Sequence, residues 1–294
     1  MNIVASNCQS EVRLEQGFEV YVLRNGGLEV AMVPELGAKI ISLKNLRTGR
    51  EWMWHPDGGL KLFRNRLGDD FSRSPLVGAD ECLPTVAPCS MHGRQLADHG
   101  EVWSAPWKVD GKAWERGILR TSVELAVSPF DFERTIELRG QQVRFDYRLR
   151  NRSMVAERYL WALHPLLALQ PGDRLRMPAT TRALLDGDAW IDAVDSVIPE
   201  EGCSKLFAAP VVEGVAGVYN RQQGDELSLE WDPAENDTLG LWLTRGGWHG
   251  HHHLAVEPTN GAPDRLAVAA REKRCGTIQA AGTKSWNVTL RVAP

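Results

Sequence analysis

Short stretches of alternating apolar and polar residues recur along most of the chain. Clear examples are residues 18–23, 28–33, 119–127, 132–138 and 143–150. A period of two places every second side chain on the same face, so each stretch predicts a β-strand with one buried and one solvated face. Turn residues separate neighbouring stretches, as in Asn25-Gly26-Gly27, which is typical of hairpins. The pattern predicts a dozen or more strands in large, mainly antiparallel sheets, and no long helix.

Two parts of the chain depart from this alternation. Residues 156–169 are more continuously apolar, which predicts a more deeply buried strand. Residues 60–98 are rich in Gly, Pro, Arg and Asp and show little periodicity. Because long irregular segments inside compact domains are often functional, we expect this segment to form one wall of a cleft. No linker, low-complexity tract or internal repeat divides the sequence, so residues 1–294 are predicted to form one domain.

Charge and cysteine content narrow the class of protein. The 294 residues contain 34 Lys and Arg against 38 Asp and Glu, a formal net charge of −4, so no basic excess favours nucleic acid or an anionic membrane. The five cysteines are irregularly spaced, which favours a reducing compartment over a disulfide framework. The N-terminus lacks a signal-peptide pattern, and no apolar run approaches the ~20 residues that span a bilayer. We predict a cytoplasmic monomer or homodimer that binds a small molecule.

Residues suited to acid–base chemistry are concentrated in three stretches. Residues 98–103 contain a His, two carboxylates and a Trp, and two later stretches contain His164 and Glu257. The chain also has 11 Trp against 4 Tyr and 7 Phe, and Trp offers an apolar face to the C–H side of a sugar ring. If the three stretches meet in space, acid–base groups beside aromatic surfaces indicate a polyhydroxylated substrate.

The order of several motifs resembles the aldose 1-epimerase (galactose mutarotase) superfamily. In chain order, the motifs occupy residues 25–30, 34–40, 42–43, 80–85, 98–103, 132–136, 164–165, 240–242 and 257–261. Together they cover nearly the whole chain. The resemblance implies an all-β fold, the galactose mutarotase-like β-supersandwich, with a cleft across one sheet. It also implies a carbohydrate ligand, with neither a cofactor nor a metal ion.

The reaction implied by the resemblance interconverts the α and β anomers of an aldose or aldose derivative. A base removes the proton of the anomeric hydroxyl while an acid protonates the ring oxygen, so two groups are needed on opposite sides of the ring, each within ~3 Å of its target. By resemblance Glu257 is the base, His164 the acid, and His99 a supporting ligand of the sugar hydroxyls. An ionised Glu257 near His164 would favour the imidazolium form that the acid requires.

Further substrate contacts are predicted around these three residues. Trp103, Trp242 and Trp248 are candidates for stacking on the sugar. The polar candidates for substrate binding are Arg64, Glu81, Glu101 and His251. Candidates for the superfamily's substrate-binding Asp are Asp186, Asp188 and Asp192, and Arg66 is an alternative to Arg64. The motifs around His99 and His164 differ from those of the best-studied mutarotases, which leaves the sugar open, including whether it carries a phosphate.

Structural interpretations compete with each of these roles. His164 could be a buried structural histidine, His99 could cap a loop, and Glu257 could lie at a plain sheet edge. Glu101 could form a surface salt bridge with Arg94 or Arg134.

Rival functions also remain open. Alternate histidines of residues 249–253, with Glu257, spell the His-x-His-x-x-x-Glu spacing of cupins, which could hold a transition metal. A zinc site could be drawn from Cys82, Cys89, His92 and His99, although their spacing matches no common zinc pattern. Finally, the protein could bind a carbohydrate without catalysing a reaction.

Overall fold

The structure, a computed structural model, describes residues 8–178, 181, 183–186, 189–192 and 201–293, with the backbone alone at 183–186 and 189–192. The first strands are β1 (Gln9–Glu15), β2 (Phe18–Arg24), β3 (Leu28–Val33), β4 (Lys39–Asn45), β5 (Ala79–Cys82), β6 (Cys89–Met91), β7 (Arg94–Leu96), β8 (Lys108–Val109), β9 (Leu119–Glu124), β10 (Phe130–Arg139), β11 (Gln142–Asn151) and β12 (Glu157–Tyr159). The remaining strands are β13 (Ala162–Ala168), β14 (Arg174–Arg176), β15 (Ala183–Asp186), β16 (Ala189–Asp192), β17 (Gly202–Ala208), β18 (Val215–Asn220), β19 (Asp225–Trp231), β20 (Thr238–Arg245), β21 (His252–Thr259), β22 (Gly276–Ile278) and β23 (Thr283–Ala293).

Two large sheets contain most of these strands. The first sheet has eleven strands in the order β1-β2-β3-β4-β5-β13-β21-β20-β17-β15-β16, and the second has eight in the order β14-β18-β19-β23-β11-β10-β9-β8. Two strand pairs, β12-β22 and β6-β7, stand apart from them. The longest pairings run antiparallel, as between β10 and β11 and between β20 and β21. The predicted all-β class with large, mainly antiparallel sheets is confirmed.

Burial follows the alternation that predicted the strands. In β10, buried and half-buried residues alternate along nearly the whole strand, because one face packs in the core and the other meets solvent. The helices are short: α1 is Gly111–Trp114, α2 is Leu266–Arg271, and Pro34–Leu36 and Phe71–Arg73 form 3₁₀ turns. Within the described part of the chain, no helix is long and apolar enough to cross a membrane.

The apolar stretch at residues 156–169 does not form the single strand that its composition predicted. It is divided into β12, which pairs with β22, and β13, which lies in the middle of the first sheet. At the break, the backbone N–H of Trp161 donates to the Asn260 side chain at 2.7 Å instead of to a strand partner. The predicted deep burial holds for β13, where six of seven residues are buried.

A buried ion pair joins the two sheets through the core. Arg134 of β10 donates to Glu81 of β5 at 2.9 Å, and both side chains are fully buried. The Tyr147 hydroxyl and the Trp161 indole donate to the same carboxylate at 2.9 and 2.8 Å. Burial raises the pKa of Glu81, and the charge of Arg134 opposes that rise. Because these partners occupy its carboxylate inside the core, the prediction that Glu81 binds substrate is not supported.

Candidate active site

A row of polar side chains crosses the middle of the first sheet. In strand order its members are Lys39, Asp80, His164 and Glu257. Asp80 is paired with His164 in the register of β5 and β13, and the β13–β21 pairs that flank His164 place Glu257 opposite it. Because paired residues on neighbouring strands point to the same face, these side chains lie on the sheet surface that faces away from the core. Lys39 and Asp80 form a buried ion pair at one end of the row.

The other end of the row is built around the carboxylate of Glu257. Its Oε1 lies 3.5 Å from His164 Nε2, and its Oε2 accepts a hydrogen bond from Lys205 Nζ at 2.5 Å. Lys205 Nζ is also 3.7 Å from Asp264 Oδ1. Glu257 is only 1% exposed, so the neighbouring ammonium compensates for the loss of its hydration.

This contact contradicts the expectation that the acid and the base lie on opposite sides of the sugar ring. His164 and Glu257 are lateral neighbours on adjacent strands, and 3.5 Å between their atoms leaves no room for a sugar. A sugar ring in contact with both groups would therefore meet them from the same side. The two oxygens that exchange protons during mutarotation are attached to the same carbon, so this arrangement is compatible with the chemistry.

The expected imidazolium form of His164 is also not what its surroundings favour. Burial lowers the pKa of His164 well below its usual range, and the nearby ammonium of Lys205 lowers it further. His164 is therefore neutral at about pH 7 in the free protein. The positive charge lies instead on Lys205, because Asp264 and Glu257 outweigh the effect of burial, which acts to lower the pKa of this lysine.

A cavity of about 320 Å³ lies against this part of the sheet. That volume is at the lower end of the ~300–1,000 Å³ typical of small-molecule sites. The first sheet contributes His164, Leu166, Lys205, Trp242 and His253 to its wall. The loops around the sheet contribute Phe71, His99, Trp248 and Asp264. As predicted, residues of the irregular segment 60–98 form one wall of this cleft.

His99 reaches the cavity from a tight turn. Its own φ is 56°, and the φ of Gly100 is 77°. A Cβ atom at Gly100 would lie 2.0 Å from the Leu83 carbonyl oxygen, so only glycine fits there. The His99 ring stacks on Phe71 with ring centres 3.7 Å apart, and its Nδ1 lies 3.0 Å from Asp98 Oδ1. The turn thus brings His99 within 5.4 Å of His164, ring centre to ring centre.

The three candidate tryptophans have different positions. Trp242 and Trp248 both line the cavity and meet edge to face, with ring centres 5.8 Å apart. Trp103 is buried beneath the loop, where its indole N–H donates to the Asp98 carbonyl and its edge contacts Phe71. Stacking on a sugar remains a prediction for the first two, but Trp103 supports Phe71 and does not face the cavity.

Glu101 is buried, and its carboxylate accepts hydrogen bonds from the backbone N–H groups of Val127 and Ser128 at 2.7 and 3.0 Å. It therefore holds a turn of the second sheet and neither lines the cavity nor forms the surface salt bridge considered as its alternative. Of the two arginines proposed as its partners, Arg94 pairs with Glu157.

Arg64 is not part of the site either. Its side chain is 67% exposed, pairs with Glu35 and lies outside the cavity. Of the candidate substrate-binding aspartates, Asp188 and the side chains of Asp186 and Asp192 lie outside the described residues.

The histidine run places His253, not His251, against the cavity. His253 Nε2 accepts a hydrogen bond from the Trp242 indole at 3.3 Å, and burial with the nearby His164 lowers the pKa of His253 to about 3. His251 packs on Trp54 and lines a neighbouring cavity of about 340 Å³. Among the described residues, no three His, Cys, Asp or Glu side chains are arranged to hold a metal ion, so neither metal hypothesis gains geometric support.

Phe71 and Lys205 are among the residues of the site that reasoning from sequence missed. Phe71 lies in an aperiodic segment, and nothing local distinguishes it from a surface residue. Lys205 lies where the sequence pattern is mixed, and its position opposite Trp242 depends on the pairing of β17 with β20. No local signal could have identified either residue.

Comparison with known proteins identifies the fold. No protein-family model and no curated protein matches the chain. Solved structures do match. The Slr1438 protein from Synechocystis sp. PCC 6803 is 17% identical, with a TM-score of 0.77 over 100% of this chain and 99% of that one. A galactose mutarotase-like protein from Clostridium acetobutylicum is 12% identical, with a TM-score of 0.76 over 97% and 98% of the two chains. The chain has the galactose mutarotase-like fold.

A protein from Klebsiella pneumoniae, provisionally assigned as an aldose 1-epimerase, is 13% identical with a TM-score of 0.77 over 97% of this chain and 83% of its own. These matches confirm the predicted galactose mutarotase-like fold, and the low identities are those of a divergent sequence. In this fold, the cavity described above lies on the outer face of the larger sheet.

Proposed function

We propose that the protein is an aldose 1-epimerase-like enzyme that interconverts the α and β anomers of an aldose or aldose derivative without a cofactor. One observation carries the proposal: a carboxylate and an imidazole, Glu257 and His164, contact each other beside a cavity of about 320 Å³ with aromatic walls. Sugar ring opening requires an acid and a base, and aromatic walls offer an apolar surface to the C–H side of the ring.

In the proposed reaction, Glu257 takes the proton of the anomeric hydroxyl. The electron pair of that O–H bond forms the C1 carbonyl, the bond between C1 and the ring oxygen breaks, and the ring oxygen takes a proton from His164. Rotation about the bond between C1 and C2, followed by the reverse steps, yields the other anomer. His99, Trp242 and Trp248 surround the sugar and hold it against the acid and the base.

Neutral His164 must gain a proton before it can act as the acid. We therefore expect kcat/KM, which reports the ionisation of the free enzyme, to rise as the pH falls from neutrality toward the lowered pKa of His164. A value of kcat/KM that stays constant over this range would contradict the acid role of His164.

A sugar-binding protein without catalysis is the second candidate. The lowered pKa of His164 and the burial of Glu257 favour it, because a purely binding site needs neither a charged acid nor an accessible base. Both candidates place the sugar in the same cavity.

The test is saturation-transfer NMR of anomer exchange across a panel of free and phosphorylated aldoses. Exchange above the uncatalysed rate supports the enzyme, and the variants Glu257→Gln and His164→Asn should each lose about 10²–10⁴-fold in rate. His92→Asn, at an exposed histidine away from the cavity, is the matched control and should retain full activity. Binding without exchange supports the second candidate, and neither binding nor exchange excludes both.

A further inference from the structure

Lys205 lies beside Glu257 at the wall of the cavity. The side chain of Glu257 is 1% exposed, and the residue is not among those that line the cavity, whereas that of Lys205 is 20% exposed and lines it. Asp264 completes this wall, 3.7 Å from the ammonium. Among the described residues around the cavity, Lys205 is the single lysine or arginine. A sugar placed against Glu257 therefore meets the ammonium of Lys205.

We propose that Lys205 is a catalytic residue whose ammonium contacts the ring oxygen of the sugar and stabilises the negative charge that forms there as the ring opens. The inference rests on the proposed function and adds a third group to its chemistry. When the bond between C1 and the ring oxygen breaks, its electron pair goes to the ring oxygen. Lys205 keeps its protons throughout, and the ring oxygen is finally protonated by His164, which has gained a proton before the ring opens and returns to its neutral form by this transfer.

The geometry fits this division of roles. The anomeric hydroxyl and the ring oxygen are bonded to the same carbon, so the base for one and the cation for the other must lie side by side. Glu257 Oε2 and Lys205 Nζ are 2.5 Å apart. A fixed charge beside a developing anion, in a site partly shielded from water, needs little reorganisation during the reaction.

The surroundings also keep Lys205 charged and in place. Asp264 and Glu257 flank its ammonium, which is 5.3 Å from the centre of the Phe207 ring. Its strand position is opposite Trp242, a residue of the same cavity. The ammonium is therefore a positive charge held at the cavity wall whether or not His164 carries its extra proton.

The first experiment compares Lys205→Met, which keeps the apolar stem, with Lys205→Arg, which keeps the charge. Removing one such stabilising group costs about 10²–10³-fold in kcat, so Lys205→Met should lose about 100-fold in kcat with little change in KM. Lys205→Arg should retain more activity than Lys205→Met. The exposed Lys108 of β8 offers the matched control, and Lys108→Met should behave as the unaltered protein. Turnover by Lys205→Met within about threefold of the unaltered protein overturns the inference.

Chemical rescue separates a catalytic ammonium from a structural one, because Lys205→Met also leaves Glu257 without its partner. Added ethylammonium should restore part of the kcat of Lys205→Ala in a saturable way, whereas tetramethylammonium, which has no N–H donor, should not. Loss of activity without rescue, together with an inactive Lys205→Arg, overturns the inference. If the unaltered protein shows no anomer exchange, the proposed function fails and the inference fails with it. If the unaltered protein exchanges anomers and the Lys205 variants do so equally fast, the inference alone fails.

Discussion

Gly240 gives a sharp test of how closely the base is packed. It lies on β20 directly opposite Glu257, and a Cβ atom there would be 3.1 Å from Glu257 Oε2 and 3.4 Å from Phe207 Cε1. Such contacts are a few tenths of an ångström too short, so Gly240→Ala must displace the carboxylate, which Lys205 holds from the same side. The variant changes no group that takes part in the proposed proton transfers.

The expected effect on stability is small. Overpacking a well-filled site costs about 1–3 kcal/mol, and replacing Gly by Ala recovers about 0.4–1 kcal/mol by restricting the unfolded chain. The net loss is therefore about 0–2.5 kcal/mol, and a loss at the upper end should lower Tm by several degrees. The effect on the reaction should be larger. Because misplacement by about 1 Å can cost 10²-fold, a shift of about half that distance should lower kcat/KM about tenfold.

The assay pairs anomer-exchange kinetics with thermal unfolding of the same samples. Gly26→Ala is the control, because a Cβ atom at Gly26 would have no neighbour within 4 Å, and it should change neither quantity. If Gly240→Ala keeps full kcat/KM and the Tm of the unaltered protein, the tight packing around Glu257 is refuted.

The remaining predictions concern charge and substrate stacking. Stability to urea should fall as the pH drops below about 6.5, because burial keeps His253 and His164 neutral in the folded protein while the unfolded chain binds protons. His253 should contribute up to about 1.4 kcal/mol per pH unit down to about pH 3, and His164 should add a loss of the same sign; equal stability at neutral and acidic pH would contradict this. Arg134→Met should lower the free energy of unfolding by about 3–5 kcal/mol, since it leaves Glu81 buried and unpaired. Adding Glu81→Gln should recover part of this loss in the same urea titration, and additive losses from the two substitutions would argue against the ion pair. Trp248→Ala should weaken sugar binding about threefold to tenfold by calorimetry with little change in kcat, and unchanged affinity would remove Trp248 from the substrate contacts.

Local pattern was sufficient for most strands but not for their connections. Alternation along β10 and β11 is a property of neighbouring residues, so it is visible in the sequence and reappears as alternating burial. The break between β12 and β13 is not visible there, because both are apolar. It results from Trp161 meeting Asn260, a residue 99 positions away along the chain.

Residues 98–103 show why a local motif could not assign roles. The motif predicted His99, Glu101 and Trp103 together, and only His99 lines the cavity. Alternate residues do not share an environment here, because the backbone turns sharply at His99 and Gly100 and directs the later side chains into the protein.

The sequence by itself determined the class of fold, the position of most strands and the three residues most suited to acid–base chemistry. These depend on alternation, turn residues and motif order, which can be read from neighbouring residues and from their order along the chain. Only the tertiary structure decided that burial lowers the pKa of His164, that His164 touches Glu257, and that Lys205 binds Glu257 and lines the cavity. Charge, burial and contact at one point depend on which distant strands become neighbours, and strand order is set by packing of the whole sheet rather than by any single segment.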